Sequence, residues 1–141
     1  KEDTATFVGY MTHHELRWIF PCCDVGVFPS IVKESGPMVF LEALSSGCFP
    51  VGTYHAGTAQ KIDAVAPYLE NADAEWMKAR PEPAHLAGDL ARAIPGALSV
   101  AGRYSRVLRE VAEREYDWKP IAANLARTLH DISTRTGART G

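Results

Sequence analysis

The stretch "SIVKESGPMVFLE", Ser30 to Glu42, sets two carboxylates, Glu34 and Glu42, around a Ser-Gly-Pro turn that opens an apolar run. Pro at a first helical position and Gly just past the end place a helix over Pro37–Gly47. The first N–H groups of a helix have no partner within it, and the helix dipole adds positive potential there. With Gly36 as N-cap and Pro37 as first residue, the N–H groups of Gly36, Met38 and Val39 are free to cradle a phosphate. Glu34 then reaches one side of that phosphate. Glu42, more than a turn into the helix, reaches the other. Carboxylates accept hydrogen bonds in pairs, which suits the vicinal hydroxyls of a sugar or ribose. Ribose, two phosphates and a hexose have this layout, which is that of a nucleotide-sugar. On spacing alone the plainer alternative, a surface loop before a helix with a solvated face, stays open.

Such a site needs a frame. "TATFVGYM" (Thr4–Met11) reads as a strand, and "THHELRWIFPCC" as a short helix with Thr12 and Glu15 at capping-box spacing. "DVGVFPS" (Asp24–Ser30) is a buried apolar strand, and "CFPVGTYH" (Cys48–His55) another. A helix follows over Thr58–Ala66, and "AEWMKA" is a last short strand. Strands alternating with helices predict an α/β fold, a Rossmann-like parallel sheet with helices on both faces. The Glu34 loop would then lie at a strand's carboxyl end, where open α/β sheets bind ligands. The later chain is helical, broken at Pro95–Gly96, and "STRTGARTG" reads as a frayed tail. Residues 1–133 are expected as one partial domain and 134–141 as the tail.

The 141 residues suffice for one core, with 46% hydrophobic and 23% charged residues typical of a globular chain. A net charge of −2 gives no case for nucleic acid, and no apolar run reaches the length of a membrane span. Cys22, Cys23 and Cys48 form neither a disulfide framework nor a zinc pattern, and are expected as buried free thiols in a reducing, cytoplasmic setting. The start of the chain has neither the basic leader nor the apolar core of a signal peptide. His13 and His14 read as surface residues without a role, while His55, at a strand end, could face the site. Trp18, Trp76 and Trp118 are expected in the core or in a domain contact. Arg103, Arg106 and Arg109 read as a solvated helix face laced with ion pairs.

"KESGPMVFLEALSSG" resembles the E-x7-E segment of retaining glycosyltransferases of the GT-B fold, most of all family 4 (glycosyl transferases group 1). "FVGYMTHHELRWIFPCCDVGVFPS", "CFPVGTYHAGTAQKI", "PEPAHLAGDLARAI" and "EREYDWKPIAANLARTL" are similar to further family segments in the same order. The resemblance implies the later part of a GT-B C-terminal, donor-binding domain. Glu34 matches the glutamate that contacts donor-sugar hydroxyls near the reacting centre, and Glu42 the one that holds the ribose. Gly36, Pro37, Met38 and Val39 match the stretch facing the diphosphate. Tyr10 and Met11 match positions beside the nucleobase. The implied activity is hexose transfer from a nucleotide diphosphate sugar to an acceptor hydroxyl with retention. The donor is a substrate, and no cofactor or metal is expected.

Two departures accompany the resemblance. Ala56-Gly57 stands for the family's Gly-Gly, and Gln60 for its following glutamate. The family's diphosphate-neutralising Arg and Lys lie upstream of the matched region, and Lys33 and Lys61 do not fall at their positions. The acceptor, a sugar or lipid, is expected to bind an N-terminal domain outside this chain, with peripheral membrane contact in the parent. This chain alone is therefore expected to be inactive. A non-catalytic nucleotide-sugar module and a sugar-nucleotide epimerase are the alternatives.

Overall fold

The computed structural model describes residues 5–137. Its elements are α1 (His13–Ile19), β1 (Val25–Phe28), α2 (Met38–Ser45), β2 (Phe49–Thr53), α3 (Ala56–Val65), α4 (Asn71–Ala74), β3 (Lys78–Ala79), α5 (Pro83–Tyr116) and α6 (Trp118–Gly137). Single 3-10 turns occupy Phe20–Cys22, Ala66–Tyr68 and Glu75–Met77. The strands form one parallel sheet in the order β1-β2-β3, with Val25 opposite Phe49 and Thr53 opposite Ala79. Parallel neighbours require crossovers, and α2 and α3 supply them.

Every residue of β2 is buried, so both faces of the central strand are covered. Alternation sends Phe49 and Gly52 to opposite faces. The Phe49 ring lies 6.3 Å from that of Tyr104 on α5. A Cβ at Gly52 would instead meet Thr58 Cγ2 of α3 at 2.8 Å and the Phe40 ring of α2 at 3.6 Å. Helices therefore pack on both faces, as the β-α alternation predicts. Phe40, Leu44, Phe49, Val51, Ile62, Met77 and Leu108 have no exposed surface. Full burial of such a side chain stabilises by about 1.5–3 kcal/mol.

Several expectations fail here. Residues 5–11 of the predicted first strand make no ladder among the described residues, and Phe7 and Tyr10 are exposed; Thr4 lies outside those residues. An extended segment with no neighbouring strand leaves its backbone groups to water, whatever its β-branched content. The break at Pro95–Gly96 does not occur, because α5 runs through it. Ala93, Ala97, Val100, Ala101, Tyr104 and Leu108 carry one buried stripe past the proline. That burial outweighs the roughly 3 kcal/mol an interior proline costs. Gly96 has its own reason: a Cβ there would collide with the Trp76 indole.

Cys48 is buried, but Cys22 and Cys23 are exposed, because α1 and the turn after it bury no residue. For the same reason Trp18 is exposed, and Trp118 is exposed at the start of α6, whereas Trp76 packs against the core. α6 also continues through residues 134–137 of the expected tail, and 138–141 lie outside the described residues. Around the arginine series, Arg106 faces Glu110 at 3.8 Å and Arg103 reaches Glu70 and Asp73. Arg109 instead donates to the Ser46 carbonyl.

Candidate functional site

The helix that carries Glu42 starts one residue later than its sequence suggests. Pro37 has φ −63° and ψ 115°, an extended conformation, so Pro37 and not Gly36 is the N-cap and Met38 is the first helical residue. Proline restricts φ but leaves ψ to the chain, and here ψ turns the peptide out of the helix. The free donors at the helix start are consequently Met38, Val39 and Phe40, with no side chain capping them. The N–H of Gly36 lies outside the helix.

Glu42 stands one turn inside α2. Its Oε1 accepts from the Nδ1–H of His13 at 2.7 Å, across 29 residues of sequence. Its Oε2 is buried and has no hydrogen-bond partner among the described residues. An unsatisfied buried acceptor costs about 1–3 kcal/mol, so this oxygen is a natural place for a ligand's hydroxyl. Glu42 lies on the wall of a groove of about 300 Å³ that also takes in Met38, Leu41, Tyr116 and Trp118. On its other side is a recess of about 120 Å³ lined by His13, Leu16 and Arg17.

Glu34 is exposed on the loop before α2, where its carboxylate accepts from Ser30 Oγ at 2.8 Å. The loop itself is tied to the β2 end and to α3. Ser30's carbonyl accepts from Thr53 Oγ1 and, at 2.9 Å, from His55 Nε2. Glu34's carbonyl accepts from the Gly57 N–H at 2.9 Å. His55 therefore holds backbone. Gly57 is required by close approach, since a Cβ there would strike the Ser35 carbonyl. Its neighbour Ala56 takes φ 46°, the left-handed region that favours glycine.

Lys61, on α3, brings its Nζ to 2.9 Å from where a Cβ on Gly36 would stand. The same Nζ lies 6.0 Å from the Tyr116 ring centroid. It makes no ion pair among the described residues, and burial holds its ammonium below the usual lysine range. Lys61 thus stands as a partly desolvated cation beside Gly36, on the loop that leads into the helix start. Burial likewise raises the Tyr116 phenol.

Met38 and Glu42 thus share one groove, and Gly36 lies under Lys61. Glu34 is held separately by Ser30. Tyr10 is exposed, Met11 is half-buried, and neither lines the groove or the recess. The sequence marks His13 only as a surface residue; a contact between α1 and α2 leaves no signal in either helix's own pattern. Lys61 was visible only as a nearby cation.

No metal-binding group of three or more His, Cys, Asp or Glu occurs among the described residues. No helix among them is long and apolar enough to cross a membrane. No curated protein and no solved structure matches the chain. The family model described as "Glycosyl transferases group 1" matches residues 1–95. That range holds both glutamates, the loop between them, Lys61 and all three strands, while the late helical segments after residue 95 lie beyond it. The chain therefore belongs to the group 1 glycosyltransferases.

Proposed function

We propose that this chain is the donor-binding part of a retaining GT-B hexosyltransferase, and that it binds a nucleotide diphosphate sugar at the start of α2. The observation that carries the proposal is the unpartnered Oε2 of Glu42, buried within a residue that lines the groove beside the uncapped helix start. Glu42 accepts hydrogen bonds from the ribose hydroxyls. Gly36, Met38, Val39 and Phe40 face the diphosphate through their N–H groups, and Pro37 fixes the turn between them. Glu34 orients the sugar. Tyr10 and Met11 stand toward the base only if residues 5–12 fold over the bound donor.

The chemistry is electrostatic. As the bond from the sugar's anomeric carbon to the diphosphate breaks, negative charge grows on the leaving oxygens. Preorganised N–H donors and the Lys61 ammonium stabilise that charge more than they stabilise the ground state. Each exposed helix-start contact is worth about 0.3–1 kcal/mol, and more where water is excluded. The acceptor, a sugar or lipid hydroxyl, binds outside this chain.

The test is an amide NMR titration of the chain with UDP, GDP and ADP and their glucose and mannose conjugates, to millimolar. Shifts on Met38, Val39, Phe40, Glu42 and Lys61, with one base preferred, are expected. Shifts confined elsewhere, or none, refute the site. In the parent enzyme, Glu34→Ala should lower kcat strongly and Glu42→Ala should mainly raise KM. Turnover of the nucleotide-sugar without any acceptor would point to an epimerase.

A further inference from the structure

We infer that His13 is a positioning residue for the donor: by holding Glu42 Oε1 it reserves Oε2 for the ligand's vicinal hydroxyls. The inference rests on the donor reading above. Glu has three rotatable side-chain bonds, and a glutamate one turn into a helix is free to swing toward solvent. Here one oxygen is fixed at 2.7 Å by an imidazole from another helix, while the other is buried with no partner among the described residues. A carboxylate pinned at one oxygen meets a ligand already oriented, which lowers the ordering cost of binding.

His13 is itself held in place. It is the first residue of α1, next to the capping box in which the Thr12 N–H donates to Glu15 Oε2 at 2.8 Å and the Glu15 N–H returns to Thr12 Oγ1. The imidazole, however, is 81% exposed, against 29% for the Glu42 side chain. So exposed a ring contributes little by packing, and exposed pairs of this kind add little stability. Its contact with Glu42 therefore acts on where the carboxylate points, and its loss should be felt in binding before it is felt in folding. Among the described residues, the only other charged side chain on the same recess is Arg17, whose guanidinium stacks on Trp18 at 4.7 Å. The contact also needs the Nδ1–H form of the ring, because a carboxylate only accepts.

These features give readouts that separate positioning from a structural role. The ring nitrogen shifts of His13 report which nitrogen carries the proton; Nδ1–H is expected in the native chain and should be lost in Glu42→Ala. Asn places a donor near the Nδ1 position, Gln places one near the Nε2 position, and Phe has none. His13→Phe and His13→Gln should weaken the preferred nucleotide about 3- to 10-fold, and His13→Asn by less than about 2-fold. All three should keep the native urea midpoint. If His13→Phe binds like the native chain while Glu42→Ala loses affinity, the positioning role is wrong. If the Nδ1–H signature is present but no nucleotide binds the native chain, the donor reading fails, and this inference fails with it.

Discussion

Ala56 carries a strain that a single methyl group accounts for. At φ 46° its Cβ is crowded by the backbone, and a non-glycine residue in the left-handed region costs about 1–2 kcal/mol. Ala56→Gly removes that cost but returns about 0.4–1 kcal/mol of chain entropy to the unfolded state. The net expectation is a gain of about 0.5–1 kcal/mol, or about 0.2–0.5 M in urea midpoint at unchanged slope. The adjacent Gly57 is the internal control. A Cβ there would overlap the Ser35 carbonyl and lie 2.8 Å from the Glu34 oxygen. Gly57→Ala should therefore cost about 2–4 kcal/mol, from overpacking and from loss of the Gly57 N–H bond to Glu34. Equilibrium urea unfolding of the two variants is the assay. An Ala56→Gly midpoint equal to or below the native one would refute the strain argument. A Gly57→Ala variant of native stability would refute the close approach.

Lys61→Met should stabilise the fold by up to ~0.5 kcal/mol at neutral pH while weakening nucleotide diphosphate binding about 3- to 10-fold. The sign follows from its lowered folded value: the buried ammonium costs stability while it is charged, and the cost fades as pH rises through that value toward about 10. Urea midpoints against pH and a titration with the best nucleotide check both halves. Asp89 is held well below the usual carboxylate range by the Arg80 guanidinium, at 2.8 and 2.9 Å, and by the Arg80 N–H at 2.9 Å. Its contribution is complete above the ordinary value near pH 4 and is lost as pH falls toward the lowered one. Asp89→Asn should therefore lower the thermal midpoint at pH 7, with the gap to the native chain narrowing in acid; a constant gap would argue against the ion pair. Burial pushes the Cys48 thiol up to about 12. A disulfide exchange reagent at pH 8 should accordingly find two reactive thiols in the folded chain, Cys22 and Cys23, and a third only in denaturant.

What sequence could show was whatever a single element writes into its own pattern. The Thr12–Glu15 box and the apolar runs of β1 and β2 are local, and each stands where its pattern put it. The failures are all tertiary. Residues 5–11 have the composition of a strand but no strand beside them among the described residues. Pro95–Gly96 has the chemistry of a break, yet α5 continues because Ala93 and Ala97 bury on either side and the Gly96 backbone meets Trp76. The one-residue slip at Pro37 has the same origin. Its ψ of 115° follows a loop already fastened to β2 and α3, which no property of the Ser-Gly-Pro turn records.

The two glutamates that mark the site also depend on different supports. Glu34 stands on a loop whose backbone is held by Thr53 and His55 at the end of β2 and by Gly57 on α3. Glu42 stands on a helix packed beside α5, and its carboxylate is held by His13 from α1. Lys61 belongs to the first set by position and to the groove by its approach to Tyr116. Their spacing of eight residues fixes little about their relative placement, because the chain between them turns through an extended proline before the helix begins. The distance between the carboxylates is set by how α3 holds the loop against the helix start. In that arrangement the strained Ala56 and the glycine after it have a definite use: they bring the α3 backbone close enough to hold the Glu34 loop, which a regular helix entry with side chains at both positions would not allow.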